Sequence, residues 1–476
     1  MRTGLSPQFD TPTFHQRLLD GESPLSASKT VLPPRWAFDE MFEAFITSDL
    51  SLIFPLVDKV LFEETAQLAY STDSELTLQH VSAKACLFAF LAVVGMNFAE
   101  VPATKYVDSA AFSKVARRLI SECLEDTSLA TLQTYLLMMM HDMAAGHMQT
   151  ATTYNTLACQ AVYALNGHQR LFPSPKNRHL TLEEREDRHV RLLFWMCYYF
   201  DKSISLRTGH PPAIDDDFCD LTLPEGYNES RWGIRSCDPN DDTQDVFFPG
   251  DMELTIVKSR VIRSLYGNRA WERSDAELLR TIRELDAELE NWRSSIPREF
   301  APALSVRKDI TLASDLSRCM SMLHVELHME YHHILNVIHG ASGLGTTANT
   351  TPGSLMPGIQ SSIDLSVEAS RSTLVYLTAS ADRVASEAFW AFIFYPMSAL
   401  MTIFFSILRN PCTDHVQDDL ELISRSSTIV RGMPIHTAVP FATEYLRQVD
   451  RFVEELHRLA EGGIERGRIE CRGNVT

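Results

Sequence analysis

Residues 188–224 read RHVRLLFWMCYYFDKSISLRTGHPPAIDDDFCDLTLP, and the rest of the chain is organised around them. In the first half, Leu192, Leu193, Trp195, Met196, Tyr199 and Phe200 recur at three- and four-residue spacing. On a helix that spacing stacks them on one wide face. The face is almost wholly large and apolar, so the helix is expected to be central. Gly209, Pro211 and Pro212 then stop it, because proline lacks the amide donor and restricts the residue before it. Asp215, Asp216 and Asp217 follow, and a short apolar run leads to Leu223 and Pro224. The expectation is a buried helix that feeds an ordered, extended, acidic loop.

A buried aromatic helix ending in Asp-Lys, then a Ser-x-x-x-Gly-x-Pro-Pro-x-Ile-x-Asp loop and Leu-Pro, resembles the fungal-specific transcription factor domain. Here the carrying residues are Phe194, Trp195, Asp201, Lys202, Ser205, Gly209, Pro211, Pro212, Ile214, Asp216 and Leu223-Pro224. Arg207 and His210 depart from the usual pair, which places Arg just before the prolines. The segment LDAELENWRSSIPREF, residues 285–300, resembles the family's Leu-x-x-Leu-x-x-Trp-x-x-x-Ile/Leu-Pro element. Phe54-Pro55-Leu56, Ala164 to His168 and Leu408 to Pro411 are further matches, so the likeness runs from about residue 50 to 460. It implies an all-helical regulatory region of the kind that lies downstream of zinc-cluster DNA-binding modules.

Composition bounds the function independently. The 476 residues are 45% hydrophobic and 22% charged, an ordinary globular balance with enough apolar mass for a large core. The net charge of -19 argues against an intrinsic DNA-binding surface, since neutralising phosphates dominates nucleic-acid affinity. The densest basic segment, Arg466 to Arg472, is short, interrupted by Glu470, and reads as a frayed tail rather than an import signal. Nine cysteines are scattered without a Cys-x-x-Cys, which fits a reducing compartment and small-hydrophobe roles. A fungal zinc cluster needs six cysteines in two closely spaced sets sharing two zinc ions. The first cysteine is Cys86, so the module is expected to be absent. MRTGLSPQFD has no apolar core and does not read as a signal peptide. Ala388 to Leu408 is uncharged and long enough to span a bilayer. Pro396 interrupts it, and no second candidate or positive flank accompanies it, so a helix buried on all sides is expected.

The reading in order is all-α: one large helical domain of packed antiparallel helices with long loops. Residues 1–35 form a flexible leader, 36–462 the helical regulatory domain and 463–476 a C-terminal tail. Helices are expected over 36–70 with a loop at 51–55, then over 76–99 and 108–124. An antiparallel pair follows over 128–165, turning at Gly146 and ending in a small residue at Asn166-Gly167-His168. Residues 172–182 are a loop, Thr181 and Glu184 form a capping signal for the central helix, and 225–250 are a surface excursion. Helices continue over 253–266, 274–292, 309–340, 366–385, 389–409, 418–430 and 439–462, with a loop over 341–362. No strand alternation and no internal repeat is evident.

Candidate chemistry is sparse. His324, His328 and His332 lie four apart and share a helix face, a spacing that can bind zinc, but HExxH is absent and the family often carries Tyr-His in this helix. Asp215, Asp216 and Asp217 offer paired carboxylates or a chelate; the alternative is an acidic loop with one carboxylate capping or pairing with Arg207. Met138, Met139 and Met140 fill a core stripe or line a cavity. No GxGxxG, P-loop or GxSxG occurs, and no catalytic, cofactor-binding or metal-ligating residue is assigned, so an enzyme is not expected.

The resemblance implies a nuclear transcriptional regulator of a fungal pathway or secondary-metabolite gene cluster. Without a zinc cluster it would act through a DNA-bound transcription factor or co-regulator, with a small-molecule effector and homo- or heterodimerisation left open. No membrane association and no direct sequence-specific DNA binding is expected. Two other readings remain. The chain is a small-molecule-binding or catalytic helical protein that repurposes the domain, or an upstream exon carries the zinc cluster.

Overall fold

Helix starts in this chain are set by short polar side chains that take up the free amides of the first turn. Thr77 with His80, Thr181 with Glu184, and Ser274 with Glu277 form reciprocal capping boxes. Asp58, Asp108 and Asp251 cap three more by accepting from amides two or three residues on. In the computed structural model the described residues are 31–71, 77–169, 180–224, 227, 231–232, 248–304, 318–343, 357–435 and 442–473. They contain helices and 3-10 turns and no strand. The all-α expectation holds.

The helices group into two compact units, Met1–Met143 with His147–Pro249, and Ala144–Gly146 with Gly250–Thr476. The reading of one helical domain over 36–462 did not separate them. The first unit contains α1 (Arg35–Ile46), α2 (Asp49–Ile53), α3 (Lys59–Ala69), α4 (Leu78–Asn97), α5 (Ser109–Glu122), α6 (Leu129–Ala144), α7 (Met148–Ala164) and α8 (Leu182–Thr208). Its core begins in an aromatic cluster of Phe38, Phe42, Phe45, Phe62 and Phe90, with Phe62 and Phe90 centroids 5.0 Å apart. These rings come from α1, α3 and α4, so non-local packing fastens helices too short to persist alone. The loop expected at 51–55 starts later, because Ser51 to Ile53 belong to α2.

α6 and α7 are joined at Gly146 as expected, but α7 packs most closely on α8. α6 is buried nearly all round. Its Gln133 Nε2 donates to Leu56 O at 2.9 Å and lies 3.2 Å from His189 Nε2 of α8. Met138 and Met139 are fully buried along it. The small residue expected at the end of α7 is resolved into two roles. Asn166 takes the left-handed conformation at φ 59°, while Gly167 is needed for space. A Cβ at Gly167 would lie 2.7 Å from Val162 Cγ2 and 2.8 Å from Val190 Cγ1.

The second unit contains α9 (Met252–Val261), α10 (Asp275–Ser295), α11 (Arg318–Gly340), α12 (Pro357–Ser380), α13 (Phe389–Phe392), α14 (Phe394–Arg409), α15 (Val416–Gly432) and α16 (Ala442–Gly473). α12 begins at Pro357, inside the loop expected to reach 362, and α16 continues to Gly473 through the stretch expected to fray. Phe389–Arg409 is only half buried, with Phe405 and Leu408 exposed, so burial on all sides is corrected. Leu78–Asn97 is also long and apolar enough to span a bilayer, which corrects the absence of a second candidate; it is 72% buried as α4. The loop predicted at 172–182 falls mostly outside the described residues, as does most of the excursion predicted at 225–250.

Candidate functional site

α8 is buried all round from Leu193 to Ser203, and Trp195 and Tyr198 rank among the largest fully buried side chains. Gly209 ends it in the left-handed region at φ 71°, where its amide closes the last turn on Ser205 O at 2.9 Å. The reversal brings the following loop back along the helix that precedes it. Two buried charges one residue apart then grip the loop. Asp201 Oδ1 accepts from Ala213 N at 2.7 Å and Oδ2 from Ile214 N at 3.1 Å. Lys202 Nζ donates to Ile214 O and sits 3.3 Å from both Asp201 Oδ2 and Asp216 Oδ1. Tyr198 OH donates to Asp216 Oδ1 at 3.2 Å, and Lys202 Nζ lies 4.8 Å from the Tyr198 ring centroid. Burial pushes the Asp201 carboxyl above its ordinary range, against the opposing pull of Lys202 and the two amides. Acid and base thus hold backbone: the carboxylate takes the amides and the ammonium takes the carbonyl of one dipeptide.

α7 supplies the second set of fastenings. Tyr163 OH accepts from Asp215 N at 3.1 Å and lies 3.5 Å from Cys219 Sγ. Arg191 of α8 donates to Gly167 O at 3.1 Å, to Asp220 O, and to Thr222 O at 3.2 Å, with its guanidinium 4.6 Å from the Phe194 centroid. Asp220 N donates to His168 O at 2.9 Å. Asp215 accepts from Asp217 N at 3.2 Å and starts a 3-10 turn over Asp216–Phe218. On α7 and α8, Cys159 and Cys197 are buried side by side, and the neighbouring thiol together with burial pushes the Cys159 thiol up. A raised thiol is poor in thiolate and hence in nucleophile.

The sequence marked this stretch correctly: Asp215 caps the acidic turn, as one alternative had it. Lys202 is a further cation set against an acidic-loop carboxylate, Asp216. Nothing in the pattern signals Tyr163 or Arg191 as loop anchors, because both act across gaps in sequence. The three aspartates do not converge. Asp216 turns inward to Lys202, while Asp215 and Asp217 are exposed. Among the described residues no group of three or more His, Cys, Asp or Glu side chains is arranged to hold a metal ion.

A second buried ionic cluster of the first unit fixes the end of α6. Asp142 is ion-paired with Arg117, and its Oδ1 lies 3.2 Å from His141 Nδ1 and 3.6 Å from His147 Nδ1. Burial alone would raise this carboxyl. Hydrogen bonds from the two histidines and the Arg117 charge hold it down at about 2.

In the second unit the histidine face is occupied by other bonds. His324 Nε2 meets Glu299 O at 3.3 Å, leaving Nδ1 to accept from Tyr376 OH at 2.8 Å. His328 Nδ1 donates to His324 O at 2.9 Å and the ring stacks on Tyr376 at 4.3 Å. His332 Nε2 donates to Ala303 O at 2.8 Å. Burial pushes His332 down to about 4 and His328 well below its ordinary value. On the opposite side of α11, Glu330 pairs with the fully buried Lys258 and accepts from Tyr395 OH at 2.8 Å. A shallow groove of 220 Å³ lies between α12 and α15, lined by charged residues that include Glu368, Arg371 and Asp418.

Comparison with known proteins gives these features a context. The model of the fungal specific transcription factor domain matches residues 50–294. An ABC-transporter-regulating transcription factor of Aspergillus fumigatus is 27% identical over 409 residues, covering 83% of this chain and 43% of the relative. Its Aspergillus oryzae counterpart matches to the same extent. A fusaridione A cluster transcription factor of Fusarium heterosporum is 24% identical over 282 residues, covering 57% of this chain and 49% of the relative. The chain thus spans less than half the length of these relatives. No solved structure matches it.

Proposed function

Because the chain belongs to the fungal specific transcription factor domain family, we propose that it is a nuclear transcriptional regulator whose promoter contact is made through a DNA-bound partner. The observation that carries this reading is the family match over residues 50–294 in a chain of net charge -19. Acidic surface repels phosphate and favours protein partners. The 476 residues hold no six-cysteine zinc-cluster set. By analogy with the relatives' names, its targets are transporter genes or a metabolite gene cluster. The hub described above is a scaffold rather than a reaction centre. Its charged groups are spent on loop backbone and on one another, and the buried Cys159 thiol beside them is pushed up and is a poor nucleophile.

Electrophoretic shift with the purified chain on promoters of genes that respond to its deletion tests the reading. The chain alone is expected to give no tight, sequence-selective shift, while chromatin immunoprecipitation recovers it at those promoters. Selective binding by the chain alone overturns the partner mechanism. A zinc cluster encoded outside these residues would replace the partner by a covalent neighbour, which a longer transcript with six spaced cysteines would reveal.

A further inference from the structure

Phe218 is 73% exposed, the most exposed large apolar side chain among the described residues. It is not on a loose segment. Its own amide closes the 3-10 turn on Asp215 O at 3.2 Å, and Cys219 N closes on Asp216 O at 3.1 Å. On both sides the backbone is pinned by side chains of α7 and α8: Tyr163 to Asp215 N, Asp201 and Lys202 to Ala213 and Ile214, Arg191 to Asp220 and Thr222. A ring held out to solvent by a fastened turn has already lost the backbone freedom that binding would otherwise remove. Aromatic side chains in that position, once seated in a pocket, dominate association.

The surroundings select the partner. Asp215 and Asp217 flank the ring and are exposed, while Asp216 is taken up by buried Lys202, so the exposed side chains on either side of the ring are acidic. A nucleic acid or an acidic protein is repelled there, and a pocket rimmed by lysine and arginine is attracted.

We propose that the Asp215–Phe218 turn is a docking knob, with Phe218 as its apolar anchor, for a protein partner that presents an apolar pocket with a basic rim. This rests on the partner mechanism above and names the contact that serves it. The benzophenone amino acid p-benzoylphenylalanine, introduced at position 218 of the full chain in the native host, is the probe, with position 405 as a second exposed aromatic site for comparison. Irradiation is expected to cross-link a basic DNA-bound protein from 218 and not from 405. Asp217→Asn and raised salt should lower the yield. Affinity of that partner for the purified chain should fall about thirtyfold in Phe218→Ala and be largely restored in Phe218→Trp. The thermal midpoint of Phe218→Ala should match the parent, since the ring is solvent-exposed.

Equal yields from 218 and 405, no cross-link at 218, or cross-linking to nucleic acid or to a second copy of the chain each overturn the proposal. So does unchanged partner affinity in Phe218→Ala. The regulatory reading fails separately. If deleting the gene leaves the transcriptome unaltered, that reading falls. If deletion changes transcripts but Phe218→Ala does not, only the knob falls.

Discussion

Each unit buries a lysine completely, and the two lysines are used differently. Lys258 meets Glu330, whose second oxygen takes the Tyr395 hydroxyl, and that triad joins side chain to side chain. Lys202 meets two carboxylates and a backbone carbonyl, and its neighbour Asp201 takes the two amides of the same stretch. The first cluster ties helices together. The second shapes a loop, so its charge cannot be deleted pairwise without also orphaning peptide groups. The lesson is that a buried ion pair reveals its role by what else its atoms hold.

The largest expected effect tests that contrast directly. Lys258→Met should cost about 3–5 kcal/mol, the cost of stranding a buried charge. Adding Glu330→Gln should recover most of it, since the amide still accepts from Tyr395. Lys202→Met should cost a similar amount, but adding Asp201→Asn should recover little, because Ile214 O loses its donor and the amide has a single acceptor for two backbone N–H groups. Urea unfolding of the four variants measures this. Equal recovery in both units would erase the distinction. Amide hydrogen exchange at Ala213 and Ile214 sharpens it, rising in the Lys202 variant and staying unchanged in the Lys258 variant.

Acid tests one buried group of each unit next. His332 has its folded-state value lowered to about 4, so its neutral form is favoured by folding and the unfolded chain binds more protons below about 6.5. Stability is therefore complete above that pH and falls as pH drops toward 4, by about 3 kcal/mol from this residue. His332→Gln keeps a donor for Ala303 O and should remove this residue's share of that limb, leaving the share of His328, which burial also holds low. Asp142, held at about 2, contributes stability above its unfolded value that is lost only as pH falls from about 4 toward 2. Unfolding followed against pH by circular dichroism should show His332→Gln acting only in the upper window and Asp142→Asn removing the lower one.

The smallest effect concerns the start of α8. Thr181→Ala removes a capping box whose members are exposed and should cost about 1 kcal/mol, read as a small shift of the urea midpoint. Exchange at Ala213 and Ile214 should not change, because the loop is fastened at the other end of the helix.

Helix identity was legible in the sequence where a cap preceded an apolar period, as at Thr181, since both signals are local. The partition of roles between Asn166 and Gly167 was not, because only the approach of Val162 and Val190 makes a Cβ impossible. Nor was the pairing of Lys202 with Asp216, which depends on which face of α8 the loop returns along. The period of α14 indicated a core helix but not that Phe405 and Leu408 would face water, since packing on neighbours and not composition decides which stripe is covered.

The sequence by itself determined an acidic all-helical chain, its central aromatic helix, the stop at Gly209 and the family it belongs to, because spacing, proline and charge act within a few residues. Only the tertiary structure decided that Tyr163, Arg191, Asp201 and Lys202 converge on one loop and hold Phe218 outward, because hydrogen bonds between residues distant in the chain exist only once packing has brought them within about 3 Å.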